Sequence, residues 1–191
     1  MSGHGFHVHG PHDHEVEHAA QHEPKGMAGK LAVVTAILAT IGASFSYMGG
    51  ATQANAGLYK NEAAIKKTEA ANQWAFYQAK SSKQNLAELA VEIVGEDKKA
   101  RYREDIERYK KEKAEIKDKA EKLEAESSDW NHQSDEQIHL HHRWAQATTV
   151  LQVSIAMAAI ALLTKNRWMT AVTLVLGTAG IVLGALAWLH I

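Results

Sequence analysis

Cysteine is absent from this 191-residue chain, which removes disulfide frameworks and thiolate chemistry at once. Proline occurs only at Pro11 and Pro24, so nothing beyond the first 24 residues carries the ring that interrupts a helix. Charge is missing from three long runs: between Lys30 and Lys60, from Trp144 to Thr164, and from Trp168 to Ile191. Each run reaches the roughly 20 residues needed to cross a bilayer core. An excess of one charge sign is also lacking. The net charge of −1 and the mixed-sign surface give no electrostatic footprint for nucleic acid. A serine elbow, a phosphate-cradling glycine loop and paired carboxylates within the apolar runs are all wanting. No catalytic residue is assigned, and the chain is read as a non-enzyme.

What is present in quantity is a charged, helix-forming segment from Lys60 to Arg143. It holds no proline and one glycine, Gly95, and is dominated by alanine, glutamate, lysine and glutamine. From Tyr102 the inward positions step by four and three: Tyr102, Ile106, Tyr109, Lys113, Ile116, Ala120, Leu123. That is a heptad seam with one cationic interruption at Lys113. Glu104–Arg108 and Glu107–Lys111 place an acid four residues before a base, worth a few tenths of a kcal/mol each. The preceding half keeps a similar register through Ile65, Thr68, Asn72, Ala75, Ala79, Ser82, Leu86, Leu89 and Ile93.

Gly95-Glu96-Asp97-Lys98-Lys99 is the expected turn, with Gly95 in the left-handed conformation that closes a helix. Lys60 to Val94 rises roughly 50 Å and Ala100 to Ser127 returns about 40 Å, lengths that suit a hairpin. Ser127-Ser128-Asp129 predicts a break, and Ser134-Asp135-Glu136-Gln137 predicts the N-cap of a further helix running into the next apolar run. The competing reading is a single charged helical linker.

The first 29 residues form a tail of low complexity with His4, His7, His9, His12, His14, His18 and His22 among four acids. Spacings of two and four suit zinc, nickel or copper. Two readings stand: a divalent-metal site on His7, His9, His12, His14, His18 and His22, or a solvated tail that turns cationic in mild acid. In the first apolar run, Gly42, Ser46, Gly50 and Ala54 make a small-residue ridge suited to close helix packing. Ala54-Asn55-Ala56 has the pattern of a signal-peptidase site, against which stand the 30-residue lead and the helical pattern continuing past it.

Asn72 to Lys83, NQWAFYQAKSSK, is the most distinctive short stretch. Trp74 and Tyr77 share one helix face while Phe76 points to another, so one partner helix cannot cover all three rings. Packing on the returning helix and contact with another subunit both remain open. Nearer the second apolar run, Glu136-Gln137-Ile138-His139 has the spacing of one half of a di-metal carboxylate site, beside His132, His141 and His142. The competing reading places these histidines and Trp144 at a membrane boundary. Thr148 and Gln152 are expected to face protein rather than lipid, as a helix-bridging pair or a pore-lining one. Lys165-Asn166-Arg167 predicts a minimal turn, and Gly177, Gly180 and Gly184 a close-packing face on the third run.

The order of His-rich head, one span, charged coiled coil and closing pair of spans resembles a bacterial family of small membrane proteins, domain of unknown function 4337. Gln73-Trp74-Ala75-Phe76-Tyr77-Gln78-Ala79-Lys80, His142-Arg143-Trp144-Ala145, Gln152 and the Lys165–Trp168 turn carry the likeness. The resemblance implies the architecture and adds no catalytic residue.

The sequence therefore predicts an all-α integral membrane protein. Residues 1–29 are the tail, 30–59 the first span, 60–143 an antiparallel coiled-coil hairpin turning near 95–99, and 144–164 and 168–191 the second and third spans. Lys165 and Arg167 in a short loop favour a cytoplasmic loop and N-terminus, with hairpin and C-terminus periplasmic in a bacterial inner membrane; Lys60, Lys66 and Lys67 argue the other way. The expected function is a scaffold contacting lipid and further copies of itself. A protein partner at the hairpin, a metal-sensing role for the tail, and a channel or transporter accessory role centred on Gln152 are the alternatives. Interaction residues are Trp74, Phe76, Tyr77 and Gln152, and no cofactor is required beyond a divalent transition metal on the tail in the metal-sensing case.

Overall fold

The structure, a computed structural model, describes residues 26–190. These residues form three α-helices and no strand: α1, Met27–Ile93; α2, Glu96–Thr164; and α3, Arg167–Trp188. The all-α expectation holds. Each helix contains a stretch long and apolar enough to cross a membrane. Neither α1 nor α2 has an end near residue 60 or residue 143, because no proline or glycine cluster interrupts the backbone ladder where the composition changes.

Two expected local features are corrected. The turn is only Val94 and Gly95, since Glu96 and Asp97 already form the first turn of α2. Their carboxylates favour that position because the unpaired amides of a helix N-terminus carry partial positive charge. No described glycine has positive φ, so Gly95 does not adopt the left-handed form; its carbonyl instead accepts the Lys98 N–H at 3.0 Å. The second correction is larger. α2 runs unbroken through Ser127, Asp129 and Ser134. Both serines are buried, so their hydroxyls are occupied across a helix pair rather than capping a new helix.

The chain divides into two compact units, one of them Ala54–Gln137. Within it the two helical segments run in opposite directions. Ser134 Oγ donates to the Ala56 carbonyl at 2.9 Å and Ser127 Oγ to the Ala63 carbonyl at 2.8 Å. One step of seven up α1 is thus matched by one step of seven down α2. Ala56, Ala63 and Ala70 are all buried, as are Ala120, Ser127 and Ser134. A strict seven-residue repeat of small side chains keeps one stripe facing its neighbour and lets the two backbones approach. The seam expected on α2 is present, since Ile106, Tyr109, Lys113 and Ile116 are half-buried and Ala120 and Leu123 buried. The seam expected on α1 is not the one used. Ile65, Thr68, Asn72, Ala75, Ala79, Ser82, Leu86, Leu89 and Ile93 are all exposed.

The second unit comprises the residues up to Gln53 together with those from Ile138. Leu31, Ala158 and Ala161 pack together, joined by Leu162 and Met169. Gly177, Gly180 and Gly184 of α3 are buried as expected, facing Leu38 and Ser154, Leu151, and Phe45 respectively. The Leu151–Gly180 and Ser154–Gly177 pairs show α3 returning along α2. Between them lies the expected minimal turn: Lys165 takes φ of 50° and the Asn166 side chain caps α3 by accepting the Trp168 N–H at 3.0 Å.

Candidate interaction surfaces

Apolar and aromatic side chains on Ala54–Gln137 sort onto two faces of α1. On the inner face, Trp74 and Tyr77 are half-buried and meet edge to face at 5.6 Å. The Lys113 ammonium sits 5.2 Å from the Tyr77 ring centre and donates to Gln84 Oε1 at 3.0 Å. The cationic interruption in the α2 seam is thereby satisfied by a ring face and an amide of α1. Tyr109 is flanked likewise, by Lys80 at 5.4 Å and Arg108 at 5.1 Å. Tyr77 therefore serves packing on the returning segment. Phe76 does not: it is 59% exposed, as its position on another face requires.

Ion pairs flank this seam. Glu112 meets Lys80 and lies 3.8 Å from Arg108 Nε. Hydrogen bonding from Lys80 holds the Glu112 carboxyl below the usual carboxylate range, outweighing its partial desolvation. Lys66 is pushed above the usual lysine range by hydrogen bonds to Glu126 and then Glu69. The side chains of these pairs remain about a quarter to a half exposed, so each pair is individually weak.

The outer face of α1 is where large apolar groups remain uncovered. Leu58, Ile65, Phe76, Leu86, Leu89 and Ile93 are exposed, whereas no large apolar residue from 96 to 137 is. The asymmetry follows from the two stripes. The intramolecular seam uses the alanines of α1, so its larger aliphatic side chains point elsewhere.

In the second unit, Trp144 is buried, stacked obliquely on Phe45 at 5.2 Å and edge-on to Trp188 at 6.5 Å. Its ring packs among the helices of this unit. His141 Nδ1 lies 2.8 Å from the Gly49 carbonyl. A carbonyl only accepts, so Nδ1 carries the proton. A Cβ on Gly49 would lie 3.4 Å from Trp144 Cβ and 3.9 Å from His141 Nδ1, ordinary van der Waals contact. His139 and His142 line an open groove with Arg143, Gln146, Leu183 and Leu186. Of the expected ridge on the first span only Gly42 is buried; Ser46, Gly50 and Ala54 are exposed. Gln152 is exposed too, and Thr148 donates to its own helix at Trp144 O. Ser154 is fully buried, and its hydroxyl donates to the Thr173 carbonyl at 2.7 Å.

Among the described residues no three metal-ligating side chains converge. His132 Nε2 contacts Glu136 Oε1 at 3.3 Å as an i, i+4 pair. His7, His9, His12, His14, His18 and His22 lie outside the described residues.

The family model described as Domain of unknown function (DUF4337) matches residues 27–190. The chain belongs to the DUF4337 family. No curated protein and no solved structure matches it. The resemblance carried by QWAFYQAK, HRWA and the Lys165–Trp168 turn thus holds at the level of the family. In this DUF4337 member sequence reasoning misses the packing role of the small buried residues: it assigns Ala56, Ala63, Ala70 and Ser154 to no seam, and reads Ser127 and Ser134 as a break and a cap. For all but Ser154, the signal was the seven-residue spacing, which on α2 continues the seam from Ala120 without a break.

Proposed function

We propose that this DUF4337 member is a non-enzymatic integral membrane scaffold that associates with further copies of itself. Its three apolar stretches cross the bilayer, and Ala54–Gln137 is an antiparallel coiled-coil hairpin outside it. The supporting observation is the one-sided apolar surface: large aliphatic side chains exposed along α1 from Leu58 to Ile93 and none from 96 to 137. A patch of that kind is a contact surface in soluble surroundings. The exposed Gln152 favours the same reading. In a lipid-facing position its amide lacks water, and a neighbouring helix supplies the missing partners.

The membrane is a bacterial cytoplasmic membrane in this reading, with the N-terminus and the Lys165–Arg167 loop cytoplasmic and the hairpin and C-terminus periplasmic. A cysteine-free chain makes the topology directly testable. In intact cells, a membrane-impermeant maleimide should label Asp97→Cys at the hairpin turn and leave Lys165→Cys unlabelled until the cells are permeabilised. Equal labelling of both sites in intact cells overturns the topology. The molar mass of the chain in nanodiscs should exceed that of one copy, and a monomer overturns self-association.

A further inference from the structure

The exposed face of α1 has a period of its own. Leu58, Ile65, Asn72, Ala79, Leu86 and Ile93 recur at seven residues, and Asn61, Thr68, Ala75, Ser82 and Leu89 stand between them three residues on. These are the a and d positions of a heptad, and all are exposed. The stripe lies opposite Ala63, Ala70 and Tyr77, which occupy the f positions and face α2. One helix thus carries two seams with the same period, and only one is covered within the chain. A seven-residue repeat sustained from Leu58 to Ile93 matches another helix with the same repeat better than any irregular surface.

We propose that this second seam pairs with the same seam of a second copy, in parallel and in register, rather than with a different protein. The proposal rests on the self-association reading above and names the face it uses. Four features select a second copy. Copies inserted in one membrane share an orientation, so equivalent helices run parallel. Asn72 sits at an a position, and its amide both donates and accepts, so two copies satisfy each other only when Asn72 meets Asn72. A slip of one heptad sets it against Ile65 or Ala79 and leaves the amide unpaired. Of the flanking g positions, Gly57, Ala64, Ala71, Gln78 and Asn85 are uncharged, so Glu62, Glu69 and Lys83 at e positions meet no like charge across the seam; Glu92, the one charged g residue, stands at the end of α1 with no e position of α1 opposite it. Finally, Phe76 at e falls opposite the small Ala71 of the other copy, which leaves room for an exposed ring that the hairpin itself does not cover.

The test uses the full chain in native membranes, where the absence of cysteine gives a silent background. Asn72→Cys, Leu86→Cys and Leu89→Cys should each form a covalent dimer on mild oxidation. The rate should be on the order of tenfold above Glu115→Cys and Lys119→Cys on α2, because a disulfide needs Cβ atoms within about 4 Å. All five positions are exposed in one chain, so the substitutions leave the packing within a copy untouched. Crosslinking at Leu86→Cys no faster than at Glu115→Cys overturns the proposed seam. If the unsubstituted chain is still oligomeric in nanodiscs, self-association stands and uses another face. If it is monomeric, both readings fall together.

Discussion

Glycine at two positions separates a packing role from a merely permissive one. A Cβ on Gly180 would fall 2.7 Å from Leu151 Cδ2 and 3.2 Å from the Leu151 backbone nitrogen, and the latter cannot swing away. Gly180→Ala should therefore destabilise the protein by about 1–3 kcal/mol, the usual range for overpacking. A Cβ on Gly50 would meet nothing within 4 Å, so Gly50→Ala should instead stabilise by up to about 1 kcal/mol through helix propensity alone. Thermal unfolding of the two variants in one detergent checks both signs. At this scale the sequence was readable where chemistry was unusual, as with the glycine face of α3. It was not readable at Ser127 and Ser134, because a hydroxyl that caps a helix and one that bridges to a neighbouring carbonyl look alike without the neighbour.

The helices themselves were legible in type and misjudged in extent. A serine-rich stretch lowers intrinsic helix propensity by only a few tenths of a kcal/mol per residue. The Ser127–Ala63 and Ser134–Ala56 bonds and the burial around them outweigh that deficit, so α2 continues. The charged flank of this pairing should show itself in pH dependence. The Glu112 carboxyl is held below its ordinary range by Lys80, so its contribution to stability is present above the ordinary carboxylate pKa and lost as pH falls through the depressed value. Glu112→Gln should lower the denaturation midpoint at neutral pH, and the gap from the unsubstituted chain should close below about pH 4. Lys66 contributes with the opposite sign: raised by Glu126 and Glu69, its share is lost only as pH climbs past the lysine range. Added salt should shrink the Glu112 effect only in part, since the Lys80 and Glu112 side chains are about one third exposed.

For the whole molecule, the proposed self-association turns on one residue of the uncovered seam. Asn72 is the polar member of an otherwise small or aliphatic a series on the uncovered seam. Polar a residues lower stability and restrict register and copy number. Asn72→Val should therefore give oligomers that resist dissociation by dilution in detergent yet show a broader distribution of masses in nanodiscs. A narrow distribution unchanged from the parent would mean that Asn72 does not meet its counterpart. Trp74 and Phe76, adjacent in sequence to residues of both faces, divide accordingly: the first is half-buried on the inner face of α1 and the second exposed on its outer face.

By itself the sequence determined the helical class, the three apolar stretches and the two places where the chain turns back, because these depend on composition and on local breakers. It also displayed both seven-residue stripes on α1. Only the tertiary structure decided which stripe the chain covers for itself. That choice rests on the distance between backbones: alanines and serines allow an approach close enough for a hydroxyl to reach a carbonyl, and leucine and isoleucine do not.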